Sequence, residues 1–166
     1  MNPSLLSYTT SVHSDWVDEY DHMNVAYYVL ACDHATYEFW EHVNDSRPLA
    51  QRGGAEYAVV ETHVNYLREV RGGDPLRIET QLLGCDAKRF SIFHTMYHAE
   101  DGYVAATNEV MSLGFNLNSR ALIPFTPEVQ QRLLALRDAH REFPTPKNAG
   151  RAIRTLREPL HKSGRI

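Results

Sequence analysis

Twenty consecutive residues, Val25 to Asn44, contain neither Gly nor Pro, and Tyr28, Cys32, Ala35, Phe39 and Val43 recur along them at helical spacing. Asn24 precedes this run, where its side-chain oxygen can accept a backbone N–H of the first turn. The pattern therefore predicts one long capped helix. Val25, Val29 and Leu30 lie off the apolar stripe, which predicts burial on several sides in the first half. Glu38, Glu41 and His42 should bring the second half towards solvent. After a loop from Asp45 to Gly54, with Pro48 and Gly53–Gly54, the period changes to two. Strands are expected over Tyr57–Tyr66, Leu76–Leu83, Arg89–Ala99 and Tyr103–Leu117, with turns at Gly72–Pro75 and Glu100–Gly102. An earlier strand, Ser7–Val17, leads into the polar loop 18–22. Thr126 caps and Pro127 opens a second helix running to about His140, ended by Pro144 and Pro146. A long helix against an antiparallel sheet of about five strands is an α+β architecture.

Composition bounds what this fold can serve. At 166 residues there is room for one domain with a real core, expected over residues 1–142, followed by a tail over 143–166. The net charge of −4 is unevenly spread. Lys147, Arg151, Arg154, Arg157, Lys162 and Arg165 face one acid, Glu158, so the tail carries +5 and the rest −9. An acidic body argues against nucleic acid as the main partner. No apolar run approaches the roughly 18 residues of a membrane span, and the N-terminus lacks a signal-peptide pattern. Cys32 and Cys85 are too few for a disulfide framework and read as buried hydrophobes. A cytoplasmic protein is the expectation. The basic tail could offset repulsion of an anionic ligand, with a short helix over Ala149–Leu156, or be an ordinary solvated terminus.

The loop before the helix holds the chemistry. A buried helix begins with free N–H groups and the positive end of its dipole, which can receive a carbonyl oxygen developing negative charge. Asp18 lies just before that start. It could attack such a carbonyl directly or take a proton from water.

Asp18, His22, Asn24 and Tyr28 fall in the spacing D-x(3)-H-x-N-x(3)-Y, and Tyr66–Leu67–Arg68 is followed by a Gly72–Gly73–Asp74 turn. Together these resemble the 4-hydroxybenzoyl-CoA thioesterase-like hotdog proteins, over roughly Tyr8 to Phe125. The resemblance implies a hotdog fold, acyl-CoA thioester hydrolysis without a cofactor, and assembly as a homodimer or homotetramer with sites at the subunit contact. It makes Asp18 the functional carboxylate, as nucleophile or general base, and His22 and Asn24 candidates for orienting water or substrate. Two departures stand out: Asp21 where many members have Gly, and Glu69 where many have Pro.

Seven of the 17 aromatic residues fall between Trp16 and Trp40. Phe39 and Trp40 read as packing, whereas Tyr20, Tyr27 and Tyr28 are candidates for binding the acyl group, including a quaternary ammonium by cation–π attraction. The stretch Asp18–Val29 also resembles the thioesterases of carnitine breakdown, which act on betainyl-CoA. His63 and Asn65 share a strand face with Glu61 and could border the site or a subunit contact. A metal is not expected: His94 and His98 lie on a strand, where four residues span about 13 Å, too far for two ligands at about 2.1 Å from one zinc. A hotdog hydratase would carry an Asn–Pro in its loop, absent here. A non-catalytic acyl-CoA binding domain would bind without releasing thiol.

Overall fold

The computed structural model describes residues 4–153. Helix α1 (Val25–Val43) forms over the run free of Gly and Pro, with Asn24 Oδ1 accepting the Ala26 N–H at 3.0 Å. The strands are β1 (Leu6–Ser11), β2 (Ala55–Tyr66), β3 (Pro75–Cys85), β4 (Arg89–His98), β5 (Val104–Asn116) and the two-residue β6 (Ala121–Leu122). Helix α2 (Pro127–His140) closes the order, its first turn capped by Thr126. All pairings are antiparallel, in the order β1-β3-β4-β5-β2, with β6 beside β5. The strands flanking α1 in sequence thus become the two edges of a curled sheet, and α1 lies along its inner face. This is the α+β hotdog arrangement.

Two apolar clusters share α1. Tyr28, Ala31, Cys32 and Ala35 pack with Val12, Trp16, Leu76, Ile78 and Met96. Further along, Phe39, Trp40 and Val43 pack with Phe90, Ile92, Phe125 and Leu133, the last from α2. Phe39 and Trp40 are both 1% exposed, as their packing role requires. A polar belt separates the clusters. The fully buried His94 lies 2.9 Å from Thr36 Oγ1 and 2.9 Å from Thr80 Oγ1. Burial pushes its imidazole down to about 3, so it is neutral near pH 7.

Three expectations need correction, and one short strand is new. The first strand stops at Ser11: the Val12 N–H still donates to the Asp74 carbonyl at 2.9 Å, but the Val12 carbonyl takes the N–H of Gly73, whose φ of 86° in the β2–β3 turn breaks the register. The chain then makes a 3-10 turn over Ser14–Trp16, and Val17 returns only as an isolated bridge to Met23. Strand β6 was not expected from its two residues. The short helix over Ala149–Leu156 does not form in its described part: 149–150 are a turn and 151–153 are irregular. Residues 154–156, and the tail cations Arg154, Arg157, Lys162 and Arg165, lie outside the described residues. Finally, the first half of α1 is not covered on every side. Val25 is 57% and Leu30 37% exposed, and Leu30 borders a groove with Val59 of the edge strand β2.

Candidate active site

The bridge between Val17 and Met23 pinches residues 18–22 into a compact loop, closed by the Asp18 N–H donating to the His22 carbonyl at 2.9 Å. Within it, Asp18 Oδ1 accepts the Tyr20 N–H at 2.9 Å and the His22 N–H at 3.2 Å. Its Oδ2 has no partner among the described residues. The carboxylate is therefore fixed through one oxygen and free through the other. Asp21 takes a φ of 63°, the left-handed region where Gly is easiest to place. The Gly that the family resemblance implies at this position would meet that backbone without strain.

The second departure is also explained. Glu69 Oε2 lies 3.3 Å from His22 Nε2, so the residue replacing Pro holds the loop histidine. Glu69 Oε1 reaches Arg71 at 3.8 Å. The loop is tied to the β2–β3 connection by the Met23 N–H, which donates to the Val70 carbonyl at 2.9 Å.

Asn24 is the cap of α1 and takes the Ala26 N–H, while the Tyr27 N–H turns back to the Asn24 carbonyl at 2.9 Å. The Val25 N–H is left without a partner among the described residues. The start of α1 thus presents one free donor beside the Asp18 loop, together with the positive end of the helix dipole. Such a pair can seat a carbonyl oxygen while a carboxylate works on its carbon.

The aromatic candidates separate. Tyr20 is 72% exposed on the loop. Tyr27 stacks on Trp16 with centroids 5.6 Å apart. Tyr28 is a correction: it is buried at 5%, and its hydroxyl accepts the Val70 N–H at 3.3 Å. It holds the loop against the core and does not line a site within this chain. His63 and Asn65, with ring nitrogen and amide 3.4 Å apart, lie on the other face of β2 from Thr62, which looks towards α1. On that outer face Glu61, His63 and Glu109 border a cavity of about 220 Å³ crossed by Gly150–Ala152. The structure therefore does not bring His63 and Asn65 to the Asp18 loop of the same chain. His94 and His98 are also apart in role: His98 Nε2 lies 3.6 Å from Asp74.

One feature escaped sequence reasoning. A groove of about 320 Å³ runs between α1 and β2, lined by Val29, Leu30, Asp33, Thr36, Val59, Thr62 and Asn108. The Thr62 hydroxyl donates to the buried Asn108 side-chain oxygen at its floor. Burial pushes the adjacent Cys32 thiol up to about 12, with Asp33 adding to the effect against an Asn108 hydrogen bond. Val29, Asp33 and Thr36 share a helix face by spacing, which was a usable signal. The contribution of Asn108 depends on strand pairing across more than 40 residues and left none.

Comparison with known proteins agrees with this architecture. Residues 12–133 match the thioesterase-like superfamily. The chain is 36% identical to the betainyl-CoA thioesterase of Pseudomonas aeruginosa, over 92% of this chain and 96% of that protein. It is 31% identical to the L-carnitine dehydrogenase/betainyl-CoA thioesterase of Ruegeria pomeroyi, over 90% of this chain but 30% of that longer protein. Among solved structures, a Staphylococcus aureus protein in complex with CoA superposes with a TM-score of 0.85 and 26% identity, over 94% of this chain and 98% of that one. No described helix is long and apolar enough to cross a membrane. With this fold, a match spanning most of its length and relatives that cleave thioesters, the chain belongs to the thioesterase-like superfamily and is a thioester hydrolase.

Proposed function

We propose that this enzyme hydrolyses betainyl-CoA to betaine and CoA, with Asp18 as the working carboxylate. The observation that carries the catalytic part is that Asp18 keeps one unpartnered carboxylate oxygen in the loop that leads directly into α1, where the Val25 N–H is also unpartnered among the described residues. The thioester oxygen sits at the start of α1, and Asp18 Oδ2 either attacks the carbonyl carbon or deprotonates the water that does. With water as nucleophile, the C–S bond breaks and CoA leaves as the thiol with the proton Asp18 had taken. With Asp18 as nucleophile, the C–S bond breaks to a mixed anhydride, CoA leaves as thiolate and is protonated from solvent, and water then hydrolyses the anhydride to betaine and free Asp18. His22, oriented by Glu69, borders the reacting centre from the loop, and Tyr20 and Tyr27 flank the acyl end. The acyl group is inferred from the two relatives named for betainyl-CoA.

The uncovered apolar side of α1 and the open edge of β2 support a homodimer as the working form. A thiol-release assay over a panel of acyl-CoAs tests the substrate. Betainyl-CoA should give the highest kcat/KM, and preference for a straight-chain neutral acyl group would overturn that part. Single-turnover hydrolysis in ¹⁸O-labelled water, with rapid quench to trap a betainyl–Asp18 anhydride, separates the two routes: label in the Asp18 carboxylate or a trapped acyl-enzyme marks direct attack, and label only in betaine with no acyl-enzyme marks general-base catalysis.

A further inference from the structure

We propose that Asp33, contributed by the second copy of the chain, is the counter-ion for the quaternary ammonium of the acyl group and sets specificity for it; this rests on the reading of betainyl-CoA as substrate. Asp33 occupies an odd place. It follows Val25 and Val29 at four-residue spacing on α1, so it continues an uncovered apolar stripe. It makes no hydrogen bond or ion pair among the described residues, and no Lys, Arg or His lines its groove. Covering that stripe with a second copy would strip water from an unpaired carboxylate, which is costly unless a cation arrives. A trimethylammonium, cationic but without N–H donors, suits a groove made of one acid and the apolar walls of Val29, Leu30 and Val59. Asp33 already makes its field felt nearby: burial chiefly, then Asp33, raises the Tyr57 phenol above its ordinary value.

Geometry requires the acid to come from the other copy. In betainyl-CoA one methylene separates the ammonium from the carbonyl, about 2.5 Å by standard bond lengths. Within one chain, Asp33 lies eight residues into α1 from Val25, a rise of about 12 Å. A single chain therefore cannot seat the carbonyl at Val25 and the cation at its own Asp33. A twofold axis passing near the half-buried Val29, midway between Val25 and Asp33, sets two α1 helices antiparallel. The partner subunit's Asp33 then faces Val25 and the Asp18 loop.

Two experiments on the full-length protein decide this. The first compares betainyl-CoA with 3,3-dimethylbutanoyl-CoA, which replaces the nitrogen by carbon and keeps the shape. Asp33→Asn should cut the preference for betainyl-CoA at least about tenfold, as loss of a desolvated charge partner does, while turnover of the neutral isostere holds or rises. Equal losses on both substrates, or none on either, overturn the counter-ion role. A wild-type enzyme that hydrolyses other acyl-CoAs but not betainyl-CoA overturns the substrate reading and this inference with it. The second isolates the dimer of one Asp18→Asn and one Asp33→Asn chain through two affinity tags. One of its two sites is then intact, so about half of wild-type betainyl-CoA activity should return. Activity no higher than the two parent variants places both acids in one chain and contradicts the proposal.

Discussion

At the residue scale, the loop from Asp18 to His22 gives one side chain two duties. Asp18 Oδ1 holds the turn through two N–H groups, and Oδ2 is available for chemistry. Asn keeps an acceptor oxygen while removing the charge, so Asp18→Asn should fold like wild type. Asp18→Ala removes the acceptor as well and should lose about 1 kcal/mol of stability, the cost of a lost local cap, measured by denaturant midpoint. Asp21 is the opposite case. Its left-handed backbone favours Gly, so Asp21→Gly should raise stability by about 0.5–1 kcal/mol and keep activity. A lower melting temperature would show that the Asp21 side chain holds the loop in some other way. The spacing of Asp18, His22 and Asn24 was legible in sequence, as was Asn24 as a cap. The pairing of His22 with Glu69 was not, because those residues meet only once β2 returns beside the loop.

At the scale of elements, local signals decided what was readable. Helix α1, helix α2 and the four longer strands follow from periodicity and from Gly, Pro and Asn at their ends. The early end of β1 depends on Gly73, which takes a φ of 86° in the turn across the sheet and gives its N–H to the Val12 carbonyl. The polar belt around His94 was equally hidden, since Thr36, Thr80 and His94 come from α1, β3 and β4. That belt predicts a pH dependence. The His94 imidazole is held down to about 3 by burial, against an ordinary 6.5. The unfolded chain therefore takes up a proton below pH 6.5 that the native state refuses until about 3. Stability is full above pH 6.5 and falls with acid, by up to about 1.4 kcal/mol per pH unit. Melting temperatures from pH 7 to 4 should show the slope, and His94→Gln, though less stable at pH 7, should flatten it. An unchanged slope in His94→Gln would assign the acid sensitivity to other groups.

For the whole molecule, Val29 and Leu30 of α1 and Val59 of the edge strand β2 line one groove, and Val25 and Val60 are further apolar side chains left exposed on the same two elements. Sequence indicated a helix apolar on more than one side, and the structure shows that one chain alone does not cover it. Light scattering should give at least twice the mass of a single chain. Val60 is 54% exposed on the open edge, and Lys there blocks pairing of edges. On the proposed shared site, Val60→Lys should therefore yield monomer and lose activity together. A fully active monomer would contradict the shared site.

The central claim is that the Asp18 carboxylate drives thioester cleavage, and turnover of betainyl-CoA by Asp18→Asn tests it most directly. With the loop intact and the charge gone, kcat should fall at least about a hundredfold, the scale of losing a general base, while the melting temperature stays within a few degrees of wild type. A folded Asp18→Asn enzyme that releases CoA at near wild-type rate would contradict the account.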